Sequence, residues 1–167
     1  MRKIVLLSLV FAFFFAAAAQ AGEKIAVFDK HKVLTESDAL ATAREALDNK
    51  FGAQRAGLER EHAELERIAV ELQRQAPTEQ QIQTFMRQQE EFSEKAQVFM
   101  RLLQIDEERV RRDIDALINR AAKELAERKG YVLVLDSMAV SYFEPKLDVT
   151  AEMLEQTNAL WKKEAGL

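Results

Sequence analysis

Along most of the chain the apolar residues fall at helical spacing. From Ser37 to about Gln75, Phe51, Leu58, Leu65 and Leu72 recur every seven residues, with Leu47 and Ile68 on the neighbouring seam position. The positions between are rich in Ala, Leu, Glu, Arg and Gln, all good helix formers, and no proline interrupts them. A seven-residue stripe marks a helix packed along its length against a partner helix. Gly52 and Gly57 sit inside this stretch, each costing about 1 kcal/mol relative to Ala, so the helix is expected to be softest there and to bend. The run "QAPTEQQI" then punctuates the chain. Pro77 stops one helix, and Thr78 with Gln81 three residues on gives the capping box of the next. A turn this short, near residues 75–78, makes the two helices antiparallel neighbours.

The second helix is expected from Thr78 to about Lys129, with Gly130 as the residue that ends it. Phe85, Phe92 and Phe99 continue the seven-residue spacing beside Ile82, Ala96 and Leu103. Past Leu103 the pattern slips to Val110, Ile114, Leu117, Ile118, Ala121 and Leu125, leaving Asp106 and Asp113 on the old register. Such a slip signals a stutter or a change of packing partner. Helices of roughly 40 and 50 residues reach on the order of 60 to 75 Å, far longer than a compact domain of this mass. The middle of the chain is therefore an arm whose two ends return to one place.

At those ends the pattern changes. "KIAVFD" (24–29) and "GYVLVLDSMAVSYF" (130–143) are runs of β-formers. Tyr131 to Leu135 is continuously apolar, as in a strand covered on both faces. Asp136 and Ser137 suggest a turn, Met138 to Phe143 a returning strand, and Thr150 to about Lys163 a closing helix. The expected class is α+β: a small β body from residues 22–36 and 130–167, with a helical hairpin arm over 37–129. Three short strands and one helix are too little to bury themselves, and other copies of the same body are the most economical cover.

Composition narrows the reading. Arg2 and Lys3, an apolar run from Ile4 to Ala19 and a closing "AQA" form a secretory signal peptide over residues 1–21, cleaved after Ala21. Its removal leaves 22 basic against 28 acidic residues, a mildly acidic chain that argues against nucleic acid as partner. With no cysteine there is no disulfide framework. His31 and His62 have no second ligand at helical spacing and read as surface residues. None of the five glycines forms a phosphate cradle, and no nucleophile sits in a recognisable elbow, so neither cofactor nor enzymatic activity is expected. The acidic clusters interleave with Arg and Lys as a solvated helix face.

The ending "VLDSMAVSY" with the later "DVTAEML", together with the leading "KIAVFD" strand and the long proline-free hairpin, resembles the Skp/OmpH family of periplasmic chaperones. That resemblance implies a homotrimer whose strands share a central β body, with three arms around a cavity. It implies that unfolded outer-membrane proteins are held there without ATP, in the periplasm and close to the envelope membranes. Ile25, Val27, Val132, Val134, Val140 and Tyr142 carry over as trimer contacts. Family arms are often strongly basic toward their tips, whereas residues 55–101 hold seven basic against nine acidic side chains. The tail after Thr157, with Trp161, extends beyond the family pattern.

A barrel strand presents only weak, alternating hydrophobicity. Many shallow contacts spread over several arms can hold it by avidity where no single deep pocket could. Phe85, Phe92 and Phe99 belong to the seam between the helices. Met86, Met100, Leu102 and Ile105 lie off it, and exposed methionines adapt to varied partners, which makes these four the candidate client contacts. The competing reading is a structural adaptor whose coiled-coil arms dock one folded partner in an envelope complex.

Overall fold

The structure, a computed structural model, describes residues 24–166; the expected signal peptide lies outside them. The elements are strand β1 (Lys24–Phe28), helix α1 (Lys30–Glu36), helix α2 (Asp38–Arg74), helix α3 (Glu79–Lys129), strand β2 (Tyr131–Asp136) and helix α4 (Thr150–Ala165). Helices α2 and α3 pack antiparallel as the arm.

The local signals for the arm are realised in side-chain detail. Thr78 caps α3, its hydroxyl accepting from the Gln81 N–H at 3.3 Å while Gln81 Oε1 accepts from the Thr78 N–H at 2.8 Å. Gly130 ends the helix in the left-handed conformation at φ 73°, which its missing Cβ allows. Ser37 caps α2 by accepting from the Leu40 N–H. Along the seam Phe51 meets Phe99 edge to face at 5.9 Å, and His62 packs on Phe92 at 5.6 Å. Phe51, Leu65 and Phe99 are buried, as the stripe requires. Helix α2 runs unbroken through Gly52 and Gly57.

The slip past Leu103 is a change of packing partner. Ile114, Leu117, Ile118, Ala121 and Leu125 leave the arm seam and enter one core with Ala26 and Phe28 of β1, Val33 of α1 and Met153 and Leu160 of α4. The body thus lies at the root of the arm, and α3 belongs to both.

β1 and β2 pair in parallel, Ile25 opposite Leu133 and Phe28 opposite Asp136. Parallel pairing needs a long crossover, and the helical hairpin supplies it. The family-like "LDVTAEML" run ties the pair to α4. Val149 N–H donates to the Val27 carbonyl at 2.8 Å, the Asp29 N–H to the Thr150 hydroxyl at 2.9 Å, and Asp148 accepts from both the Thr150 N–H and its hydroxyl. Those last bonds hold the Asp148 carboxyl below the usual carboxylate range, the hydroxyl contributing most.

Two expectations change and one gains detail. Met138–Phe143 forms no strand. Asp136 accepts from the Met138 N–H and turns the chain into a short 3-10 segment, Ser137–Ala139, and a second such turn follows at Pro145–Leu147. A strand is stable only with a ladder partner, and among the described residues β2 pairs with β1 alone. Within the segment 22–36 expected to contribute to the body, residues 30–36 form a helix, capped by Asp29 accepting from the Lys32 N–H at 2.8 Å. Cover for the β pair also comes in large part from inside the chain, through α1, α3 and α4, rather than wholly from other copies.

Candidate functional site

Two surfaces carry the residues singled out by sequence. The first is the flank of α3. Met86 and Met100 are 62% and 61% exposed, and Leu102 and Ile105 are exposed as well. They do not form one patch. At about 100° per residue, Gln89, Ser93 and Met100 fall within about 60° of Met86, on the side toward the Phe seam, whereas Leu102 and Ile105 lie about 160° and 100° round in the other direction. Shallow grooves join the first set: one is lined by Met86, Gln89 and Ser93, the next by Gln89, Phe92, Ser93, Met100, Leu103 and Gln104. Arg87 with Glu90, and Arg101 with Glu107, balance each other at the rims. The strip is therefore soft, apolar and amide-lined without net charge.

The grooves lead toward a cleft of about 500 Å³ at the hairpin tip, with Ile68, Leu72 and Phe85 as its apolar wall and Gln75, Gln80, Gln81 and Gln88 around it. Ile82, which the stripe placed beside the seam, is exposed, and exposed Val98 and Val70 also lie on the arm and were not singled out by sequence. The signal of the two valines was present, since each is an apolar residue off the heptad seam.

The arm is zipped by charge across its seam. Lys95 of α3 donates to Glu61 of α2 at 2.7 Å, and this bond raises the Lys95 pKa. Nearer the body, largely buried Asp106 accepts from Lys50, with Arg109 at 3.5 Å. The Lys50 hydrogen bond is the main reason the Asp106 carboxyl titrates below its ordinary value; burial opposes the shift. Among the described residues no group of three or more His, Cys, Asp or Glu is arranged to hold a metal ion, and no helix is long and apolar enough to cross a membrane.

The second surface is the outer side of the β pair. Val132 is 63% exposed, and Leu133 and its partner Ile25 are exposed too. Among the described residues the far edge of β2 pairs with no other strand. Beyond it Met138 and Tyr142 are 85% and 81% exposed. Of the remaining expected contacts, Val134 packs partly on the chain's own core, Val140 is half-buried, and Val27 is 2% exposed and enclosed within the chain. Leu133 and Met138 were missed by the sequence reading, which took β2 as covered on both faces.

A family model described as outer membrane protein (OmpH-like) matches residues 24–156. The chain belongs to the Skp/OmpH family. Chaperone protein Skp of Photorhabdus luminescens is 31% identical over 148 residues, covering 85% of this chain and 90% of that one. Chaperone protein Skp of Yersinia enterocolitica is 30% identical over 150 residues, covering 84% and 90%. A crystal structure of an OmpH-like outer membrane chaperone from Caulobacter crescentus superposes with a TM-score of 0.66 at 18% identity, over 84% of this chain and 87% of that one. The Skp/OmpH match takes in the β pair, the whole arm and the first part of α4, and stops at 156, nine residues short of the end of that helix. Skp/OmpH is a chaperone family and not an enzyme class.

Proposed function

We propose that the chain is an ATP-independent periplasmic holdase, exported by its N-terminal signal peptide, that keeps unfolded outer-membrane proteins from aggregating in the space between its arms. The observation that carries this reading is the exposed Met86–Gln89–Ser93–Met100 strip on the arm. Methionine side chains reshape to fit irregular apolar surface. The neighbouring amides offer both donors and acceptors to a main chain that is not yet paired. Each such contact is weak, so holding a client takes several arms at once. The open edge of β2 supplies a means of gathering arms, because an unpaired strand edge flanked by exposed Val132, Leu133 and Ile25 is a template for pairing with another copy. A homotrimer joined through this outer side, with Ile25, Val132, Val140 and Tyr142 in or beside the joint, is the assembly we propose. Release needs no nucleotide: in the membrane every backbone group of a barrel becomes paired, and the client is lost to that more stable state.

The test is a light-scattering assay. A urea-unfolded outer-membrane barrel is diluted into buffer with the mature protein at near-stoichiometric ratio and no ATP. Suppressed scattering is expected, with suppression weakened in a Met86→Glu/Met100→Glu protein whose circular dichroism is unchanged. Scattering that rises as fast with the unmutated protein as without it would sink the reading.

A further inference from the structure

The last part of α4 lies outside the family match and is not used by the function just proposed, yet it makes some of the most specific contacts in the body. Thr157 is fully buried, its hydroxyl donating to the Met153 carbonyl at 2.7 Å. One residue on, Asn158 Oδ1 accepts from the Asp38 N–H at 2.9 Å, satisfying one of the free donors at the start of α2. Lys162 Nζ lies 3.0 Å from the carboxylate of the same Asp38. Glu164 takes two bonds from Arg120 Nη2 of α3, at 3.1 and 2.8 Å. Between these attachments Leu160 is buried and Trp161 packs against the core. Trp161 also walls one side of a largely apolar hollow of about 330 Å³, lined by Ala39 and Ala43 of α2 and Val110, Ile114 and Leu117 of α3 together with the charged Asp113, Arg120 and Glu164.

The last two turns of α4 therefore grip both helices of the arm at the level where they leave the body. Each ion pair alone is exposed and weak. What the set supplies is geometry, since α2 is held by its first residue, α3 by Arg120, and an indole stands between them. The hollow beside that indole leaves the two helices room to shift. Leverage makes the angle matter: a rotation of about 10° at the root moves a tip about 60 Å away by about 10 Å.

We propose that residues 158–164 are a brace that fixes the angle between arm and body, with Asn158, Trp161, Lys162 and Glu164 as positioning residues, and that this angle selects the size of client the chaperone accommodates. The second half rests on the holdase reading; the first does not.

The chain has no cysteine, so two can be introduced for spin labels, at Gln80 on the tip and Lys146 in the body. Labelled chains diluted into unlabelled ones report the distance within one chain by pulsed electron resonance. With the brace intact a narrow distribution is expected. Trp161→Ala should broaden it and shift it by about 10 Å, the displacement that a root rotation of about 10° produces. Lys162→Gln/Glu164→Gln, which leaves the core untouched, should broaden it less, and Lys163→Ala on the exposed side of the same helix should leave it alone. Unchanged distributions in both brace variants would overturn the brace. The same proteins are assayed for aggregation suppression against barrels of increasing length, where the brace variants should shift the largest client held. A changed angle with an unchanged client range would overturn the size selection. If even the unmutated protein suppresses no aggregation, the holdase reading fails while the distances still decide the brace.

Discussion

Asp106 stands where the seven-residue pattern calls for an apolar side chain, and it is tolerated because Lys50 reaches it from the facing helix while Arg109 flanks it. Its carboxyl is held below its ordinary value, the Lys50 bond being the first cause. A group whose pKa is lowered by folding stabilises the fold fully above its unfolded pKa, and that contribution is lost as pH falls through the folded one. Asp148, lowered by its bonds to Thr150, behaves the same way in the body. Acidification below the ordinary carboxylate range should therefore destabilise the protein. Asp106→Asn should remove the part of this slope that belongs to the arm, as read from urea midpoints measured over a pH series; an unchanged slope would show that the Lys50 pair contributes nothing.

Gly52 and Gly57 make the opposite kind of statement. A Cβ built on either meets no atom within 4 Å, so no packing reason holds glycine there. Ala at each position should raise stability by roughly 0.5–1 kcal/mol, seen as a higher urea midpoint at unchanged slope. A loss of stability would mean that the helix needs glycine's freedom at these points.

Among the elements, the outer strand β2 is the one whose surroundings the chain leaves incomplete. Val132 projects from it with 63% of its surface exposed, whereas Val134 on the same strand packs on the chain's own core. Val132→Lys should therefore leave the fold intact and break the trimer we propose, in the way charged edge residues deter strand pairing in natural sheets. Sedimentation velocity of this variant should show a smaller species with unchanged circular dichroism. The unmutated size would place the assembly joint elsewhere.

How far each element was legible follows from how local its determinants are. The arm could be read because heptad spacing, the Thr78–Gln81 box and Gly130 all act within a few residues of themselves. Helix α1 was within reach too, since Asp29 is an ordinary cap, but seven residues are too few to show a period. Met138–Phe143 was misread because β-propensity describes a residue's fit to a sheet that must already be there. Val27 looked like the other valines of the ends, and only its enclosure between β2 and the Asp148–Val149 segment tells it apart. Of the candidate client residues, their place off the seam was legible, and their division into two flanks of α3 follows from counting about 100° per residue.

As a whole the molecule separates two jobs. A core built from α1, α4, the β pair and the root of α3 holds the fold together. Helices of 37 and 51 residues then carry side chains about 55 to 75 Å along their axes. Most of that arm is bound only to itself, so its stability rests on the Phe51–Phe99 contact, Leu65 and the cross-seam ion pairs, and its outer faces are left for something else. One arm presents a shallow, uncharged strip too weak to hold a chain alone. In the assembly we propose, several arms joined at a shared body enclose a space and multiply weak contacts into useful retention.

That claim is tested most directly by the mass of the complex formed when a urea-unfolded outer-membrane barrel is diluted into the mature protein, measured by multi-angle light scattering after size exclusion. Three copies of this chain with one unfolded client are expected, without nucleotide and at modest protein excess. A single folded chain eluting apart from the aggregated or uncaptured barrel would contradict it.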